Sequence, residues 1–230
     1  MKKLISILSF LALIGSSYSQ VRFSVSGGVN LTDLKNKWEL FDNPDILPRF
    51  AYSFGGTLEF PLTSSFFIGG QLALVSKNYA FDVEDFYGPG TVGYDRYSVL
   101  YLDLPVYAGY RLGDFRIFLG PFFDLCLGGT NNHRLEYFNG YKDNGTGGIS
   151  SSRGLKSSDA SNAVFPLECY NFCDAGIVFG IGHCNENYSI DLLHSYGLVN
   201  IFPKVEGNSI NRDDYSLYTR VFTLRLNFYL

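Results

Sequence analysis

Seven charged residues, Glu59, Asp103, Arg116, Asp124, Asp174, Asp191 and Arg225, stand in segments where apolar residues occupy every second position. In a strand that spacing sends them to the face opposite the apolar one, so they share one compartment. Asp191 and Arg225 lie at similar distances from short connections and are expected to pair, with Arg116 and Glu59 in the same layer. Charges removed from water are normally paired and hydrogen-bonded, so the structural reading is an ion network that fixes strand register. Asp103, Asp124 and Asp174 add a second chemistry. With a tight turn centred on Gly113, Asp103 lies diagonally beside Asp124, and Lys77 is the one cation expected nearby. Crowded carboxylates of this kind are what a proton or small-cation site requires.

Other reactive groups are sparse. The chain has three histidines, His133, His183 and His194. His194 and Ser195 are adjacent, so on a strand they point to opposite faces and do not make the base and nucleophile of an acyl-transfer enzyme. No catalytic residue is assigned. The four cysteines lack zinc-site spacing, and neither a metal nor a cofactor is expected. An oxidising compartment permits a Cys126–Cys169 disulfide at the base of segment 129–169, with reduced, packed thiols as the competing state and Cys184 free. The acidic run at 81–86 lacks calcium-loop spacing and reads as solvated charge. Segment 129–169 is rich in Gly, Ser and Asn; with Tyr137, Phe138 and Tyr141 it is either a contact surface for a protein partner or mobile filler.

These residues must be positioned by strands. Period-two alternation recurs near 21–31, 50–61, 66–79, 97–111, 115–128, 170–183, 188–199 and 218–230. Short links (62–65, 112–114, 184–187) alternate with long ones (32–49, 80–96, 129–169, 200–217). That order predicts an eight-stranded antiparallel transmembrane β-barrel with short periplasmic turns at one end and long extracellular loops at the other. Roughly 40 positions form its apolar face, where the chain's 17% charged content would place about seven Asp, Glu, Lys or Arg; none occurs, as expected where a midplane charge costs about 2–4 kcal/mol. Outer-membrane lipid is therefore the expected surrounding. Phe23, Phe60, Phe66, Tyr110, Phe115, Tyr188 and Phe228 form an aromatic girdle at the short-turn end. Inward Phe67, Tyr101, Tyr107, Phe118, Phe122 and Phe172 predict a filled lumen rather than a wide pore.

The chain's start reads as an export signal. Met1-Lys2-Lys3, the apolar run Leu4 to Ile14 and the small residues of Ser17-Tyr18-Ser19 make 1–19 a signal peptide and 20–230 the barrel domain. No later apolar run reaches 18 residues, which excludes a transmembrane helix. A formal net charge of −4, more negative once Lys2 and Lys3 are removed, argues against nucleic acid as a partner.

The stretches SGGVNLTDL, YSFGGTLEFPLTSSFFIGGQLAL, YLDLPVYAGYRLGDFRIFLGPF, DAGIVFGIG, HSYGLVNI and the terminal RVFTLRLNFYL resemble the PorT-like family of small outer-membrane β-barrel proteins of Bacteroidetes-type bacteria. The resemblance covers the whole mature chain and implies a fold and a location, the Gram-negative outer membrane; the family's namesake serves type IX secretion. The functional expectation is a non-enzymatic scaffold or accessory subunit in secretion or envelope assembly. A narrow proton or small-ion channel is the alternative, and a lipid-modifying enzyme the third reading.

Overall fold

The computed structural model describes residues 21–38, 46–82, 90, 92–137, 140–152, 169–171, 173–201 and 215–230; the expected signal peptide lies outside them. The strands are β1 (Arg22–Trp38), β2 (Ile46–Pro61), β3 (Phe66–Asp82), β4 (Val92–Asp103), β5 (Val106–Leu112), β6 (Phe115–Glu136), β7 (Lys142–Ser152), β8 (Cys169–Asn171), β9 (Cys173–Cys184), β10 (Tyr188–Gly197) and β11 (Tyr215–Tyr229). β4 and β5 occupy one position of the wall. Pro105, which lacks an N–H, interrupts them, yet Leu104 and Phe123 exchange backbone hydrogen bonds and the Pro105 carbonyl accepts one from Gln71.

The wall is a ring of eight antiparallel positions. β1 pairs with β2 and β11, β3 with β2 and with β4/β5, β6 with β4/β5 and β9, and β10 with β9 and β11. Closure is complete: β1 and β11 pair from Ser24↔Tyr229 to Trp38↔Tyr215. The pairing of β11 with β1 matters because an unpaired edge in hydrocarbon would leave backbone groups unsatisfied. Stepping across ladder partners from Arg116 through Gly182, Asp191, Arg225, Gly28, Ser53, Val75 and Tyr101 returns to β6 at Cys126, ten residues further along. That stagger, at about 3.3 Å per residue around eight strands about 4.8 Å apart, corresponds to a strand tilt of about 40°.

The outer face carries the exposed series Phe23, Val29, Phe54, Leu72, Leu119, Ile177, Leu192 and Leu224, with Leu100 and Val106 as equivalents on β4 and β5. It ends toward the loops where the ladder partners Leu31 and Phe222 give way to the outward ion pair of Asp33 and Arg220. Strands continue past that boundary, which corrects the expected spans: β1 reaches Trp38, β3 Asp82 and β6 Glu136. Above the hydrocarbon the outward residues turn polar, so the apolar alternation stops although the pairing does not. Segment 129–169 is likewise not one loop. β7 takes over the edge of β6 that β9 leaves, from Glu136↔Lys142 to Gly129↔Ile149.

Inside, one apolar cluster lies toward the loops (Leu34, Tyr79, Phe81, Tyr97, Val99 and Tyr101 among others) and a second nearer the turns (Phe67, Tyr107, Phe118, Phe122, Val178, Leu193). Glycines make room for the second: a Cβ at Gly180 would run into the Phe118 ring, and one at Gly109 into Phe67.

Candidate functional site in the lumen

Near the periplasmic turns the inward positions converge on one polar layer. Arg116 donates from Nε and Nη2 to the two oxygens of Asp191 (2.7 and 2.5 Å), from Nη1 to Glu59 (2.5 Å) and Tyr229 (3.0 Å), and from Nη2 to Ser189 (2.9 Å). Arg111 occupies the other oxygen of Glu59 at 2.6 Å. Asp191 Oδ2 also accepts from Arg225 Nη2 at 2.9 Å and from Asn227 at 2.8 Å. Arg225 Nη1 donates to Gln71 (2.5 Å), which donates on to Ser26 (3.0 Å). Every wall position but that of β9 therefore contributes a member. β9 offers Gly182 instead, where a Cβ would collide with Asp191. Glu59 and Arg116 are 1% exposed and Asp191 0%, so the centre of this layer is buried, while Arg111 at its edge keeps 12% of its side chain exposed. Bidentate guanidinium–carboxylate pairing is the geometry in which buried charges are tolerated, and here it leaves only Arg111 Nε and Asn227 Oδ1 of the network's described members unpartnered.

A second layer lies toward the loops. Lys77 Nζ sits 2.7 Å from Asp124 and 2.9 Å from Asp174, over the Tyr101 ring at 4.7 Å. Thr219 donates to Asp174 at 2.5 Å. Asp124 is the ladder partner of both Asp103 and Asp174. The expected diagonal offset of Asp103 is thus corrected to a direct opposition. The turn is the two-residue Gly113-Asp114 pair closed by Leu112↔Phe115, with Gly113 at φ +61°, rather than one centred on Gly113. Between the layers lies a cavity of about 40 Å³, the volume open to the centre of a water molecule, bounded by Asn30, Lys77, Asp103, Asp124, Thr223 and Arg225 among others.

The seven charged residues singled out in the sequence are thus brought into two groups: Glu59, Arg116, Asp191 and Arg225 in the lower, Asp103, Asp124 and Asp174 in the upper. Sequence reasoning missed Arg111, Gln71, Ser189 and Asn227. Arg111 shares the inward phase of Tyr107 and Gly109 and was findable; the neutral partners carry no signal separating them from any other inward polar residue.

The Cys126–Cys169 bridge is not formed. Cys126 is a free thiol, 2% exposed inside the wall. β7 stands between β6 and β8, so Cys169 is two strand spacings, about 10 Å, from β6, beyond the roughly 7 Å a disulfide spans. Cys173 and Cys184 are also free. His194 lies on the outer wall with its ring stacked on Phe222 at 4.3 Å, while Ser195 borders the cavity. Tyr137 packs on the loop-side cluster and against Tyr141, itself 62% exposed. Phe138, Phe172 and most of the acidic run at 81–86 lie outside the described residues, as does the side chain of His133. Among the described residues, no group of three or more His, Cys, Asp or Glu could hold a metal ion.

Solved outer-membrane proteins match the chain at low identity. Ail, the attachment invasion locus protein of Yersinia pestis, is 11% identical with a TM-score of 0.41, covering 92% of this chain and 100% of that one. OprG of Pseudomonas aeruginosa is 11% identical with a TM-score of 0.42, covering 93% and 97%. Such distant likenesses say nothing of activity. No curated protein matches the sequence. Residues 15–203, most of the chain, match the family described as outer membrane protein beta-barrel domain. An all-β wall with a lipid-compatible exterior, closed on itself and matched over that length, makes this chain a member of the outer membrane protein beta-barrel domain family.

Proposed function

We propose that the protein is a closed, non-enzymatic outer-membrane scaffold of the PorT-like kind, which holds its loop-side β6–β7 hairpin for a protein partner in secretion or envelope assembly. The observation that carries this reading is the lower ion network, whose Arg116 reaches Glu59 on one side and Asp191 on the other across the lumen, all three side chains at most 1% exposed. A lumen locked in this way is suited to rigidity rather than to passage, and His194 and Ser195 on opposite faces supply no catalytic pair. The hairpin continues the wall beyond the Asp33–Arg220 boundary and ends on the exposed Tyr141, where a partner has a rigid edge and an aromatic to bind.

Planar-bilayer recording on the purified barrel tests the closed lumen: a flat trace is expected under applied voltage, and discrete, salt-dependent openings would overturn it in favour of the narrow channel for protons or small ions. Replacing 131–147 by a short Gly-Ser turn tests the scaffold. The shortened barrel is expected to insert and remain heat-modifiable on cold SDS gels but to lose a chemically cross-linked partner; retention of that partner would refute the assigned surface.

A further inference from the structure

The two lumen layers differ in charge. At membrane level the described inward side chains comprise four cations, Lys77, Arg111, Arg116 and Arg225, against five carboxylates, Glu59, Asp103, Asp124, Asp174 and Asp191. Arg22, the ladder partner of Glu59, and Arg49 add partly exposed positive charge at the two ends of the wall. The balance that matters is therefore local, since a charge in a low-dielectric interior has to be compensated by groups close to it.

The shortfall has a location. In the lower layer three arginines meet two carboxylates; in the upper, one lysine meets three. Lys77 engages Oδ2 of both Asp124 and Asp174. Asp124 Oδ1 is left without a hydrogen-bond partner although Asp124 is only 2% exposed. The same residue borders the cavity of about 40 Å³, where Asp103 faces it across the ladder and neutral oxygens of Asn30, Ser53 and Thr223 lie on the other walls. About 10–15 Å³ by this measure admits one water, so the cavity accommodates a small ion with some hydration. Two carboxylates plus neutral oxygens form a hard oxygen donor set rather than a transition-metal one, and with Arg225 bordering the cavity beside Lys77 the three carboxylates are left one positive charge short.

We propose that the cavity between Asp103 and Asp124 takes up one monovalent positive charge, an alkali cation or a proton, which completes the neutrality of the upper layer and ties β4 to β6. The charged and titratable groups facing it are Lys77 from β3, Tyr101 and Asp103 from β4, Asp124 and Cys126 from β6, Asp174 from β9 and Arg225 from β11; β1, β2 and β10 present only neutral Asn30, Ser53 and Ser195. The site does not depend on the scaffold reading, since a barrel that conducts would still need the charge.

The test is the unfolding midpoint of the full mature barrel in detergent, read by heat-modifiable mobility, in sodium, potassium and N-methylglucamine chloride at equal ionic strength. An alkali occupant is expected to raise the midpoint saturably by several degrees over N-methylglucamine. A proton occupant gives no cation preference, but the midpoint falls as pH rises from 7 to 9, because the folded state then binds the extra proton. In either case Asp103→Asn, and independently Asp124→Asn, is expected to abolish the dependence, whereas Asp33→Asn on the outer wall leaves it intact. Absence of both dependences in the unsubstituted barrel, or their persistence in Asp103→Asn and Asp124→Asn, would overturn the proposal.

Discussion

The two lumen layers both set cations against buried carboxylates and behave as opposites. In the lower one, Arg116 and Arg225 spend their donors on Asp191, Glu59, Gln71, Ser189 and Tyr229, and seven wall positions are cross-linked. In the upper one, a single ammonium divides itself between two carboxylates while Asp124 and Asp174 each keep an unpartnered oxygen. Planar guanidinium forks reach several strands at once; a lysine is a point charge that neutralises without organising. The lower layer is thus a register lock, and the upper layer a place where occupancy and protonation have room to vary.

The contrast can be broken at its strongest point first. Arg116→Met is expected to cost about 3–5 kcal/mol, because Glu59 and Asp191 both lose a buried partner; urea unfolding in lipid vesicles would show it, and a loss under about 1 kcal/mol would mean the lock is not there. Gly180→Val should cost about 1–3 kcal/mol by pressing on Phe118, visible in the same titration. In the upper layer, Lys77→Met leaves three carboxylates unopposed, yet adding Asp124→Asn is expected to recover much of the loss. A double-mutant cycle measures that coupling, and simple additivity would contradict the division of labour. The smallest effect is expected outside the wall. Asp33→Asn removes an ion pair whose side chains are 28% and 37% exposed, worth about 0–1 kcal/mol after solvent screening.

Much of this was legible in the chain because hydrocarbon imposes a stringent rule. The absence of charge on one face, and the alternation of short and long links, were enough for the eight-position ring and for the lower network of Glu59, Arg116, Asp191 and Arg225. What escaped lies where that rule lapses. Strand lengths were underestimated because Asp33, Arg220 and Asn132 are outward but above the lipid, where polar residues are permitted. The β7 strand, KDNGTGGISSS, holds Ile149 as its one large apolar residue and so has no apolar period; only its pairing with β6 marks it. The offset of Asp103 turned on a two-residue rather than a centred turn, a one-residue matter that the short link does not decide. The Cys126–Cys169 proximity failed because β7 inserts between the strands concerned.

Neighbouring positions on β6 give the most direct check of the whole account, since Phe118 is 2% exposed and Leu119 is 55% exposed on the other side of the wall. Nitroxide labels walked singly from Ile117 to Phe123 in a cysteine-free background, in lipid vesicles, would report collision with oxygen and with a water-soluble nickel chelate. The expected result is high oxygen and low nickel accessibility at 117, 119 and 123, with neither reagent reaching 118 or 122. Nickel reaching 119 would place water where this structure requires lipid, and a two-residue rhythm missing from the series would mean the wall is not a membrane-spanning sheet.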